Sequence, residues 1–200
     1  MLFTGTFFDI HLFTLLFGIV LSWYFGSIDS PVHPDKIIAS VISYSEKSLY
    51  RSGTYKQGLM ALLFNLAVVF AIGSVLLYFA KNAGNLWYFA FSTFFIYTSI
   101  DKRFTNENKS NSATVCYLHY SLPVIIITLL LGPVGAVLFR TLPLANTMLP
   151  VTNEKYAEFS KPTEQTYTVI QDASAILIPV LSFIATSMKK VIRYIKSFRP

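Results

Sequence analysis

Apolar runs alternate with polar ones along the whole chain. Residues 7–27, 58–80, 86–100, 117–139 and 168–187 are built mostly of Phe, Leu, Ile, Val, Ala and Tyr. A bilayer core takes about 20 such residues per helix, so the five runs read as transmembrane helices. The second and fourth are the strongest, the third is short, and the fifth carries Gln171, Asp172 and Pro179. Residues 36–51 and 188–198 are patterned differently. In the first, Ile38, Val41, Ile42, Ser45 and Leu49 fall on one helical face, with Ser40, Ser43, Lys47 and Arg51 elsewhere. In the second, Met188, Ile192 and Ile195 form a stripe among Lys189, Lys190, Arg193 and Lys196. Both read as amphipathic interfacial helices, the first lying on the membrane or packed against the bundle. The expected fold class is all-α: a single polytopic membrane domain of about five transmembrane helices plus these interfacial helices.

Punctuation sharpens the picture. Residues 122–150 form an apolar stretch broken by Gly132-Pro133 and Gly135, running into Arg140. An arginine at the edge of such a span is costly unless it reaches headgroups, water or a partner. This stretch therefore reads as a packed, kinked element. Asp29-Ser30-Pro31 and His33-Pro34 favour extended or turn geometry, because proline restricts the residue before it; Asp35 is then placed to cap a helix. Asn65 suits a hydrogen bond between helices. Asp9 and His11 sit at the start of the first span, and Trp23 and Tyr24 at its far end suit an aromatic belt. Residues 101–112 and the proline-bearing stretch after Arg140, with Pro143, Pro150 and Pro162, read as loops.

Composition agrees. The chain is 54% hydrophobic and 13% charged, where a soluble domain carries about a quarter charged residues. The start has no basic n-region and no A-x-A-like cleavage signal, so the first run reads as a retained span. The net charge of +6 has no basic face interleaved with aromatics, which argues against nucleic acid. The residues between the first and second runs, those between the third and fourth, and the tail hold twelve of the sixteen Lys and Arg; the others are Lys81, Arg140, Lys155 and Lys161. Positive charge stays on the cytoplasmic side. The expectation is a bacterial inner-membrane protein with its N-terminus out and C-terminus in, and residues 45 and 155 on opposite sides. Its partners would be the lipid bilayer and another membrane protein or a second copy. The single cysteine, Cys116, allows no intrachain disulfide and no CxxC site. No Ser-His-Asp arrangement, phosphate-cradling glycine loop, HExxH or zinc spacing is present.

Three blocks, in order, resemble one family. HPDKIIASVISYSEKSLYRSGTYKQG is similar to the opening of the CobD/CbiB family of cobalamin biosynthesis. That opening has a His-Pro pair, an apolar-patterned helix with a Glu near its end, basic residues, and a Gly entering the second span. Here these are His33, Pro34, Glu46 and Gly58. LGPVGAVLFRTLPLANTML resembles the family's glycine-rich span, with Phe139, Arg140, Asn146 and Met148 matching in place. KYAEFS followed by QDASAILIP is similar to a later Asp-Asp-x-x-N-x-x-P element, with Asp172 and Pro179 in register. LLLGPVGAVLFR is at least as similar to the related AmpE family, membrane proteins linked to β-lactamase regulation.

The resemblance implies an ATP-dependent amide ligation of aminopropanol, or its phosphate, to a corrinoid. Such chemistry uses phosphate-binding cations and Mg²⁺ held by carboxylates. It makes His33, Glu46, Arg140 and Asp172 the candidate site residues. The chain departs from the family at the acidic positions. The family's E-N-T-x-D-G-like run falls on Thr114 to His119, the second Asp of the pair is Ala173, its Asn is Ile176, and Pro143 and Asn146 replace an Asn and an Asp. A long middle region of the family is absent. These losses favour a catalytically degenerate membrane partner, scaffold or regulator. One alternative is a corrinoid ligase working with altered residues or a partner subunit. Another is a small transporter lined by Asp9, His11, Asn65 and Asp172. The four candidates also have plain structural roles: a turn histidine, a solvated Glu46, a snorkelling Arg140, or an Arg140–Asp172 pair joining the fourth and fifth spans.

Overall fold

The computed structural model describes residues 7–25, 33–100, 113–150 and 152–197, and within these the side chains of 12–22, 24, 33–100, 121–150, 152–176 and 179. Among the described residues the chain is all-α, with seven helices and no strand. They are α1 (Phe7–Phe25), α2 (Pro34–Leu49), α3 (Tyr55–Ala83), α4 (Asn85–Ser99), α5 (Ala113–Leu131), α6 (Pro133–Met148) and α7 (Ala157–Ser197). The expectations for Asp29, Ser30, Pro31 and residues 101–112 lie outside the described residues. Those for the side chains of Asp9, His11, Trp23, Cys116, His119 and the basic tail lie outside the described side chains.

α3 is the axis of the bundle. Gly58, Ala61, Leu62, Asn65, Val69, Gly73, Leu77 and Ala80 are buried along it, a spacing of three and four that makes one helical stripe. By length and composition, α3 is the one helix among the described residues able to cross a bilayer, and only 28% of its most apolar window is buried. Leu63, Phe70, Val75 and Phe79 face outward. Leu12–Ser22 and Ser121–Leu131 are shorter apolar helical stretches. One such helix does not establish five spans.

Glycine lets the helices approach. A Cβ on Gly58 would lie 1.8 Å from the Phe159 carbonyl oxygen of α7, and one on Gly135 would lie 2.6 Å from the Ile127 oxygen of α5. Neither backbone could yield that much, so both contacts require glycine. Gly58 meeting Phe159, and Leu62 sharing a cluster with Tyr167, make α7 run parallel to α3. α6 runs antiparallel to both, with Val134 against Gly73 and Phe139 against Tyr167.

Four expectations need correction. Residues 117–139 are not one span. α5 ends at Leu131, Gly132 turns the chain at φ 74°, and Pro133 opens α6. A positive φ suits glycine, and proline is favoured at the first helical position because its missing N–H has no partner there. The result is a helical hairpin. Secondly, residues 140–167 are largely helical: Pro143 lies inside α6 and Pro162 inside α7. Each proline removes one ladder bond, and packing on α3 carries the helix through. Thirdly, residues 168–187 and 188–198 are not separate elements, because α7 is continuous for 41 residues, about 60 Å at 1.5 Å per residue. Fourthly, the stretches around residues 45 and 155, expected apart, are in contact. The Glu46 carboxylate lies 3.4 Å from the Lys155 ammonium, and the Tyr50 hydroxyl donates to the Lys155 carbonyl at 2.7 Å.

This contact fixes a measurable outcome. Single cysteines replacing Glu46 and Lys155, whose side chains meet, in a Cys116→Ala background, should be joined by a short bismaleimide. Failure to cross-link this pair while each cysteine reacts alone would contradict the fold.

Candidate functional site

The site is built where α2 begins. His33 precedes Pro34, which holds it extended at φ −63°, ψ 132°. Its Nδ1 accepts a hydrogen bond from the Asp35 N–H at 3.3 Å. The cap is therefore His33, and not Asp35 as the sequence suggests; Asp35 sits in the first turn, where its charge suits the positive end of the helix dipole. Nδ1 is also 3.4 Å from Asp35 Oδ2, but a nitrogen accepting the cap bond has no proton for that oxygen.

α2 does not lie on a surface. Ile38 and Ile42 are 1% and 0% exposed, each burial worth about 2 kcal/mol. They share a cluster with Ala61 and Val69 of α3 and with Val137 and Ala145 of α6. Lys36, Ser40 and Lys47 remain on the outer face. The apolar stripe read from the sequence is real; its counterpart is protein.

That packing brings Asp35 to Arg140. Arg140 Nε donates to Asp35 Oδ1 at 2.9 Å and Nη2 to Oδ2 at 2.7 Å. The arginine side chain is 5% exposed and the aspartate 22%. This is a bidentate fork, the geometry in which a guanidinium matches a carboxylate best. The expected pair with Asp172 does not form. Asp172 faces outward on α7, whereas the first turn of α2 lies directly against α6. Arg140 is thus no snorkelling anchor, and Asp172 is not its partner.

Glu46 belongs to a second cluster at the other end of α2, about 16 Å from Asp35 along the helix. The Tyr156 hydroxyl donates to Glu46 Oε1 at 2.5 Å, and Lys155 Nζ donates to the Tyr156 hydroxyl oxygen at 2.8 Å. Lys155 Nζ lies 4.6 Å from the Tyr156 ring centroid and 5.2 Å from that of Tyr50. The Tyr156 hydroxyl, through its hydrogen bond and then its charge, and after it the Glu46 carboxylate hold the Lys155 ammonium above the usual lysine range. Tyr50 packs edge-on against Tyr156 and Phe159. This cluster fastens the end of α2 to the start of α7.

The four candidates therefore do not converge. His33 and Arg140 share Asp35, Glu46 stands at the opposite end of α2, and Asp172 is apart from both. Among the described residues no three His, Cys, Asp or Glu side chains come together. The arginine best placed for a phosphate is forked onto a carboxylate. Asn65 is buried between Ala61 and Val69, and its Oδ1 has no hydrogen-bond partner; the interhelical bond expected of that atom is not made. With Asp172 outward, the described members of the transporter set do not share a path.

Sequence reasoning missed Asp35, Lys155 and Tyr156 as site residues. The signal for Asp35 was its position two residues after His33, in the first turn of a helix with a strong apolar stripe. Lys155 and Tyr156 were read only within the KYAEFS block, because the Glu46 they meet lies more than a hundred residues away.

Comparisons of the chain with protein-family models, with curated proteins and with solved structures find no match. The geometry itself discriminates between the two acidic partners. Asp35→Ala should lower the unfolding free energy by about 3 kcal/mol, because it breaks a buried bidentate ion pair by removing one member. Asp172→Ala should change it by no more than about 0.5 kcal/mol, as an outward substitution. Unfolding in mild detergent measures both; the reverse order would show that Arg140 depends on Asp172.

Proposed function

We propose that this chain is a multi-pass protein of the bacterial inner membrane that works as a partner, scaffold or regulator and does not itself carry out ligation. The CobD/CbiB–AmpE resemblance enters this reading as the origin of the His33-Pro34 and Gly132–Arg140 blocks. The observation that carries the non-catalytic part is the Arg140–Asp35 fork. A cation that ligation would aim at a phosphate is committed to docking α2 on α6. The membrane part is supported by the outward apolar residues of α1, α3 and α4, among them Phe13, Val20, Leu63, Phe79 and Trp87. An exposed apolar surface on so many helices calls for a lipid or protein neighbour.

In this reading α5 and α6 enter the bilayer as a hairpin. The end of the bundle carrying Lys47, Arg51, Lys56, Lys155 and Lys161 faces the cytoplasm, by the retention of positive charge. Alkaline carbonate should leave the protein in the membrane pellet; release into the supernatant would contradict the membrane part.

The functional test is genetic. In a strain lacking its corrinoid amide ligase, the expressed chain should not restore corrinoid assembly. Restoration that is lost in Arg140→Ala and Asp35→Ala, while Arg140→Lys retains part of it, would instead establish a ligase.

A further inference from the structure

A cavity of about 250 Å³ lies between the first turn of α2, the middle of α3, α4 and α6. Every residue lining it is apolar or glycine. Its inner wall includes Val69, Phe95 and Val137, which are 4%, 5% and 6% exposed. Its lip is formed by Ile37, Ile72 and Leu76, which are 46%, 37% and 38% exposed. The lip is continuous with the outward apolar face of α3, where Phe70, Val75 and Phe79 stand. Gly73 opens the wall: a Cβ there would already be 3.1 Å from Val134.

A space this large is not a packing defect. Protein interiors hold few voids larger than a water molecule. An apolar cavity of about 150 Å³ stays dry and takes up benzene, and this one is larger, with no polar group to hold water. Its occupant must be apolar. The lip is continuous with the outward apolar face of α3, the surface assigned to the bilayer, so the hydrocarbon chains of that bilayer are the apolar groups within its reach.

We propose that this cleft holds one acyl chain of a bilayer phospholipid. The proposal rests on the membrane reading above. The closed end lies against Pro34, next to Asp35, and Val137, one turn before Arg140. A chain in place there excludes water beside the ion pair and strengthens it, since charges attract more in a low dielectric. Lipid occupancy and the docking of α2 are thereby linked.

The test uses phosphatidylcholine vesicles in which part of the lipid carries a diazirine on its second acyl chain. The reconstituted protein is irradiated and the labelled residues are mapped by mass spectrometry. Labels are expected on the outward positions Leu63 and Phe79 and also on Val69, Phe95 or Val137, which bulk lipid cannot touch. Ile72→Trp, a change at the partly exposed lip, should lose the interior labels and keep the outward ones. Outward labels without interior labels in the unaltered chain would overturn the lipid site while sparing the membrane reading. So would interior labels that persist in Ile72→Trp. Loss of outward labels as well would overturn the membrane reading and the site with it. A free fatty acid bearing the same diazirine, labelling the interior when the phospholipid does not, would replace the proposed occupant.

Discussion

A guanidinium that cannot reach water must find a carboxylate, and the position of α2 follows from that requirement. Arg140 projects from α6 into the bundle, and Asp35 is the carboxylate that meets it with both oxygens. Removing one member of a buried pair costs about 3–5 kcal/mol, although replacing both by apolar residues is often neutral or better. The pair therefore contributes position more than net stability. It selects the register in which Ile38 and Ile42 face Ala61, Val69 and Val137. The second fastening, Glu46 with Tyr156 and Lys155, fixes the other end of the same helix. Between the two, α2 is a strut fastened at both ends and packed into the bundle through Ile38 and Ile42.

The bundle accepts this strut because its other helices are close together. Gly58 and Gly135 let backbone meet backbone, and the turn at Gly132 folds α5 onto α6. Small residues at such crossings give the close approach on which helix association in lipid depends. α6 then presents Val137 to the cleft beside α2 and Arg140 to Asp35, one turn apart. The apolar cavity and the ion pair are neighbours for that reason, which is why occupancy of one bears on the other.

Much of the fold was legible. The apolar runs located α1, α3, α4 and parts of α5 and α7, and the stripe at Ile38, Val41 and Ile42 located α2, because three-to-four spacing records burial whatever covers the buried face. The cover itself was not legible. The same stripe suits lipid or protein, and only the partner residues Ala61, Val69 and Val137 decide between them. Gly132-Pro133 could be read as a kink or as a hairpin turn. The difference lies in a positive φ at Gly132, which the letters permit but do not require. The candidate site was half legible: His33 and Arg140 were singled out, but their link through Asp35 spans 105 positions. Asp172 was chosen as the partner because it too lies in an apolar run. Charge in a run signals a need for a partner; it carries no information on direction, and α7 turns Asp172 outward.

The central claim is that Arg140 and Asp35 act as one unit. A double-mutant cycle measures this most directly, with Asp35→Asn, Arg140→Gln and the two combined, each followed by reversible unfolding in mild detergent. The account predicts a coupling energy of about 2–3 kcal/mol, well above the roughly 0.6 kcal/mol average of hydrogen-bonding contacts between membrane helices. Additive effects, with coupling near zero, would contradict it.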